Sequence, residues 1–122
     1  MNFMDPIKNR ISDESMLGLL SAIEEFRKLE REMPAQLLSV LLYVATHDPC
    51  HKQAIEQDLD FSTASCSRNL NWLSAWHRIE NRPGLNFIEQ YKDPSNRRRL
   101  INTLTPKGRD FINSVKTMLY GQ

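Results

Sequence analysis

Apolar residues recur at helical spacing through the first 73 positions, fall into a β-favourable rhythm between Leu85 and Thr105, and return to helical spacing after Pro106. That order of periods restricts the fold more than any single motif. Side chains repeating near 3.6 residues line one helix face, and those repeating every second residue line one sheet face. The chain therefore reads as mainly α with a small β-hairpin, an α+β arrangement in which the hairpin interrupts a series of helices. Turn-forming Asn81-Arg82-Pro83-Gly84 precedes the first strand, Leu85 to Tyr91, and Asp93-Pro94-Ser95-Asn96 separates it from a returning strand, Arg98 to Thr105.

The helical stretches are bounded by recognisable signals. Ser12, followed by Asp13 and Glu14, suits an N-cap with acids in the first turn, and Met16, Leu17, Leu20, Ile23, Phe26 and Leu29 follow, predicting a helix over about residues 13 to 32. Pro34 suits the first turn of a second helix, whose Leu37, Leu38, Leu41, Leu42 and Ala45 make it the most apolar and the central one, stopping at Asp48-Pro49. A third, shorter helix runs from Cys50 or His51 to Leu59, with Ala54, Ile55 and Leu59 inward and Asp60 suited to a left-handed turn. Ser62 caps a fourth that buries Cys66, Leu70, Leu73 and either Trp76 or His77. Pro106 opens the last, with Phe111, Ile112, Val115, Met118 and Leu119 on its apolar stripe.

At 122 residues the chain suits one domain. The longest apolar stretch, Leu37 to Ala45, is too short to cross a bilayer and the N-terminus has no apolar signal region, so a cytoplasmic protein with no membrane partner is expected. Cys50 and Cys66 are expected as free thiols. Charge is polarised along the chain: residues 1 to 61 carry 6 Lys/Arg against 11 Asp/Glu, net −5, and residues 62 to 122 carry 10 against 4, net +6. A basic half joined to an acidic one fits a molecule that meets a polyanion on one face.

The fourth helix presents Thr63, Ser65, Ser67, Arg68, Asn69 and Asn71 opposite its apolar stripe. These side chains donate and accept hydrogen bonds without bulk, which is what a helix needs to approach base edges in a major groove. An ordinary solvated face is richer in Glu and Lys, and there is neither from Ser62 to Trp76. Three adjacent arginines, Arg97 to Arg99, repel one another unless phosphates neutralise them. In an extended strand Arg97 and Arg99 face one way and Arg98 the other, so two are expected at a duplex and one bracing the hairpin against Asp93 or Glu89.

Enzymatic chemistry finds little support. His47, Cys50 and His51 in HDPCH match no common zinc spacing and lack a fourth ligand, and no Gly-rich loop offers an oxyanion site, so no metal, cofactor or catalytic residue is expected. Cys66, Trp72 and Trp76 are read as packing residues.

From about Leu37 to Ile112 the chain resembles the MarR family of winged helix-turn-helix transcription regulators. Leu59-Asp60-Phe61-Ser62 and Thr63 to Leu73 are similar to its turn and recognition helix. Asn96-Arg97-Arg98, Leu104-Thr105 and Lys107-Gly108 resemble its wing signature, with Asn96 standing where that family has an acid and Asp93 three residues earlier. Glu56 stands where helix-turn-helix proteins usually have a small residue. The resemblance implies a winged helix-turn-helix domain over 1–122, with 1–33 and 106–122 as dimerisation helices. The segment after Thr105 leaves less room than the family's two C-terminal helices occupy, so a modified dimer is expected. The implied function is sequence-specific binding of double-stranded DNA as a homodimeric transcription regulator on a palindromic site, with a small-molecule effector as a further partner. The recognition-helix contacts would be Ser62, Thr63, Ser65, Ser67, Arg68, Asn69 and Asn71, and the wing contacts Lys92, Asn96, Arg97, Arg98 and Arg99. The alternative from another class is a winged-helix module that binds a polymerase or replication protein through the wing or the tryptophan-bearing face, without sequence-specific DNA binding.

Overall fold

The computed structural model describes residues 10–121. Residues 1–9 of the expected dimerisation segment 1–33, and Gln122 of 106–122, lie outside them. A 3-10 turn, Glu14–Met16, leads into α1 (Leu17–Leu29), followed by α2 (Ala35–Thr46), β1 (Cys50–His51), α3 (Lys52–Leu59) and α4 (Thr63–Leu73). Two short strands, β2 (Trp76–His77) and β3 (Arg82–Pro83), then precede the wing strands β4 (Ile88–Asp93) and β5 (Asn96–Leu104), and α5 (Pro106–Tyr120) closes the chain. The fold is mainly helical with a small β-hairpin, as the periodicity predicts, and is the winged helix-turn-helix that the resemblance implies.

α2 is the buried centre. Leu37, Val40, Leu41 and Val44 are sealed from solvent beside Ile55 of α3 and Cys66, Leu70 and Leu73 of α4, each large aliphatic side chain contributing about 1.5–3 kcal/mol by leaving water. Leu42, expected inside, is exposed; the inner face of α2 is completed instead by Val40, Tyr43 and Val44. α1 lies along α5, where Gly18 permits the approach: a Cβ there would sit 2.8 Å from the Met118 carbonyl oxygen. Phe111 joins the two layers, edge-on to Phe26 at 5.2 Å and stacked on Phe87 at 4.8 Å between ring centres.

Local chemistry sets the element ends. Asp13, rather than Ser12, caps the first turn, accepting the Ser15 N–H at 2.9 Å. α1 stops at Leu29 instead of about residue 32 because Glu30 has already turned to extended backbone. Pro34 serves as the N-cap of α2 rather than a residue of its first turn. Asp60 adopts the left-handed conformation, φ 56°, that joins α3 to α4, and Ser62 caps α4 by accepting the Ser65 N–H at 3.1 Å.

Two β features depart from the sequence reading. Cys50 and His51 do not begin a helix but pair with Asn102 and Ile101, making the wing a three-stranded sheet in the order β1-β5-β4. Asn81–Gly84 is not simply a turn. The reversal lies at residues 78–81, and Arg82–Pro83 return as a strand paired with Trp76–His77. His77, not Trp76, is the buried member of that pair, and Trp76 remains 49% exposed, so it is not the packing residue expected. Among the described residues no helix is long and apolar enough to cross a membrane.

Candidate nucleic-acid interface

The wing departs from a regular ladder where its arginines lie. Lys92 pairs with Leu100 and Asp93 with Asn96, so Arg97, Arg98 and Arg99 have no opposite residue in β4 and bulge out of the sheet. The Asn96 side chain stabilises the start of this bulge by accepting the Arg98 N–H at 3.1 Å. The strict alternation expected of a strand is lost, and Arg98 and Arg99 both line one groove of about 350 Å³ with Lys52, Thr63 and Ser67. Among the described residues, none of the three arginines makes a salt bridge.

Among the described residues, no arginine pairs with Asp93 or Glu89 to brace the wing. Asp93 is buried and bonded to His51 Nε2 at 2.9 Å and to the Ser95 N–H and hydroxyl at 2.9 and 2.8 Å. These bonds, the His51 one first, hold the Asp93 carboxyl down at about 2. Asp93 thus anchors the wing turn, with a histidine from β1 as its partner. Because its folded pKa lies below the ordinary value of 3.8, the stabilisation is fully present above about pH 4 and is lost as pH falls toward 2. Asp93→Asn should therefore lower the urea midpoint at pH 7, and its deficit relative to the parent should shrink between pH 4 and 2. A deficit that stayed constant over that range would show that the ionised carboxylate is not what matters.

Lys52, Gln53 and Glu56 of α3 and Thr63 and Ser67 of α4 line the groove opposite Arg98 and Arg99. Glu56 ties the two helices together. It accepts from Lys52 Nζ at 2.9 Å and from the Thr63 hydroxyl at 3.4 Å, and Lys52 also reaches the Thr63 carbonyl at 3.4 Å. This ion pair explains the acid where a small residue is the usual choice. Lys52 and Gln53 are groove residues that the helical pattern does not reveal, because their proximity to Arg98 depends on the packing of β1 against β5.

Of the candidate residues of α4, Thr63 and Ser67 line the groove, whereas Ser62, Ser65, Arg68, Asn69 and Asn71 do not. Thr63 and Arg68 are exposed, and Ser65 and Ser67 are half-buried. Ser62 is exposed, but its oxygen is engaged as the cap. Asn69 does not belong to the open face: it is buried and donates to the Ser65 carbonyl at 2.9 Å and to Gln36 Oε1 at 3.4 Å, joining α4 to α2. Asn71 is half-buried, donating to the Ser67 carbonyl at 2.7 Å while its oxygen accepts the Arg78 N–H at 3.0 Å. Lys92, Asn96, Arg97, Arg98 and Arg99 are all exposed.

HDPCH is used structurally. His47 stacks on Tyr43 at 4.1 Å, Asp48 accepts from the Thr103 hydroxyl at 2.5 Å, and His51 holds Asp93. Cys50 and Cys66 are buried free thiols pushed up to about 11, mainly by desolvation.

The fold is shared with solved MarR-type regulators. Similar structures include reduced AbfR bound to DNA (22% identity, TM-score 0.60, 84% of this chain and 66% of that one) and MarR (24% identity, TM-score 0.58, 83% and 72%). CouR bound to a 23-mer DNA duplex is another, at 22% identity and TM-score 0.58 over 98% of this chain and 79% of that one. The chain spans just under two thirds of the AbfR chain. No family model and no curated protein matches it.

Proposed function

We propose that this MarR-type winged helix binds double-stranded DNA sequence-specifically as a cytoplasmic, non-enzymatic transcription regulator, acting as a homodimer on a palindromic site. The observation that carries the reading is the groove in which wing arginines, without a salt bridge among the described residues, face the N-terminal half of α4. Phosphates would relieve the repulsion within the arginine bulge and release condensed counterions, while Ser65, Ser67 and Arg68 would approach base edges. AbfR and CouR, which share the fold, are DNA-bound in their solved structures. Homodimer formation is supported by Leu17, Leu19, Leu20 and Ile23 of α1, which remain exposed beside Leu119 and Tyr120 even though α1 already packs on α5. An apolar surface of that kind on a small domain fits contact with a second copy.

The test is selection of bound sequences from a random duplex pool, with affinity measured at several salt concentrations and for Arg68→Ala. Recovery of a palindrome, steep loss of affinity with salt, and relaxed preference in Arg68→Ala are the expected results. Retention of no duplex even at low salt would transfer the arginines to a protein partner.

A further inference from the structure

Residues 74–86 build a second, smaller hairpin on the C-terminal end of α4. Trp76 pairs with Pro83 and His77 with Arg82, and Asn81 in the turn takes φ 53°. A Gly84 N–H bond to the Ala75 carbonyl at 3.0 Å closes the base of this hairpin, and Leu85 N–H to the Trp72 carbonyl at 2.8 Å and Phe87 N–H to the Leu73 carbonyl at 2.8 Å lock it to the helix. Gly84 is required for that approach, since a Cβ there would sit 1.9 Å from the Ser74 oxygen. His77 is completely buried beneath the turn. The unit is an ordered arm rather than a loose connection.

Its polar surface continues the face of α4. The Asn71 side chain accepts the Arg78 backbone N–H, and Asn71 and Arg78 line one groove together with Glu89, so Arg78 follows Thr63, Ser67 and Asn71 past the end of α4. Arg82 lies over the Trp72 ring at 4.9 Å and bonds Glu80 Oε2 at 2.6 Å. The Glu80 carboxyl is held below its ordinary range, first by that Arg82 bond. Arg82 already neutralises Glu80. Arg78 is exposed and, among the described residues, makes no salt bridge, leaving the surplus positive charge of the arm on its guanidinium.

We propose that the Trp76–Pro83 hairpin is a second basic arm of the duplex-binding face, with Arg78 contacting a backbone phosphate beyond the C-terminal end of α4. This rests on the DNA-binding reading and extends it. The 11 residues of α4 span about 16 Å at 1.5 Å each, somewhat more than the roughly 12 Å width of a major groove. With the wing arginines near the start of the helix and Arg78 past its end, the two basic groups bracket the groove and reach phosphates on opposite borders. Duplex DNA suits the arm better than a protein ligand because its free charge is continuous with the polar stripe of α4. The exposed Trp76 and Ile79 are the features that a protein would use instead.

The experiment is titration of a labelled duplex by fluorescence anisotropy at several salt concentrations, using the parent protein and Arg78→Lys, Arg78→Ala and Arg78→Glu. Only the side chain changes, so the Arg78 N–H bond to Asn71 is retained, and thermal midpoints identify any variant that has lost its fold. Expected is Lys within about twofold of the parent, Ala weaker by about tenfold with a salt slope shallower by about 1, and Glu weaker still. Four equal affinities, with the parent binding duplex tightly, would overturn the arm while leaving the wing and α4 as the interface, and would direct attention to Trp76 and Ile79 as a protein contact. A Lys variant as weak as Ala would overturn the ionic contact, and a parent that binds no duplex would overturn this inference and the reading beneath it together.

Discussion

Replacing Arg97, Arg98 and Arg99 together with alanine is expected to weaken duplex binding by about two orders of magnitude near 0.1 M salt, and to make the salt slope shallower by about 2. The size follows from counterion release, each neutralised phosphate contributing roughly 0.9 to the slope. Two contacts are assigned because Arg98 and Arg99 share the groove wall with Thr63 and Ser67. The fold should survive, since the three residues have no partner in β4, are exposed and make no salt bridge among the described residues. Loss should be nearly uniform across sequences, in contrast to Arg68→Ala, whose effect should depend on the base pairs offered. An unchanged salt slope in the triple variant would show that the wing does not meet phosphates.

The same arginines show what sequence reading can and cannot reach. Their exposure is legible, because three adjacent guanidinium groups cannot be buried without partners. That Arg98 and Arg99 line one groove is not: alternation assumes a regular strand, and the bulge depends on Asp93 pairing with Asn96 across a two-residue turn. Helix positions are legible for α2 to α5 because caps such as Ser62 and breakers such as Pro34 and Pro106 act within a few residues. Strand β1 is not, since two residues carry no period and their partners lie some 50 positions away in β5. The anchoring of Asp93 by His51 is hidden for the same reason, and HDPCH invites a metal reading although its members serve three separate contacts. Asn69 and Asn71 look alike in composition, yet one turns inward to Gln36 and the other supports Arg78. A polar type on a helix wheel does not reveal which neighbour arrives to satisfy it.

Gly108→Ala is expected to destabilise the fold by about 3 kcal/mol or more, the reverse of what helix propensity alone predicts. Gly108 is the third residue of α5, where exchanging glycine for alanine ordinarily gains up to about 1 kcal/mol. Here a Cβ would lie 2.0 Å from the Phe87 carbonyl oxygen and 2.8 Å from its carbonyl carbon, both backbone atoms that no rotamer change can move. Relief requires α5 to shift away from the segment leading into β4. That segment is held by the Thr105 N–H bond to Phe87 O at 2.9 Å and the Thr105 hydroxyl bond to Asn86 O at 2.7 Å. The shift would also open the stack of Phe87 on Phe111. The wing-to-helix signature Leu104-Thr105 with Lys107-Gly108 is therefore a packing requirement at its last position: Thr105 caps α5 by accepting the Gly108 N–H at 3.0 Å, and Gly108 makes room for the strand entry. Gly121→Ala is the control. Gly121 has φ 71°, but a Cβ there would meet no described atom within 4 Å, so only the left-handed backbone penalty of about 1 kcal/mol applies. Thermal unfolding should lower the midpoint by about 10 °C or more for Gly108→Ala and by only a few degrees for Gly121→Ala. Equal, small shifts in the two variants would show that α5 can slide over Phe87 without cost, and the glycine of the signature would then need another explanation.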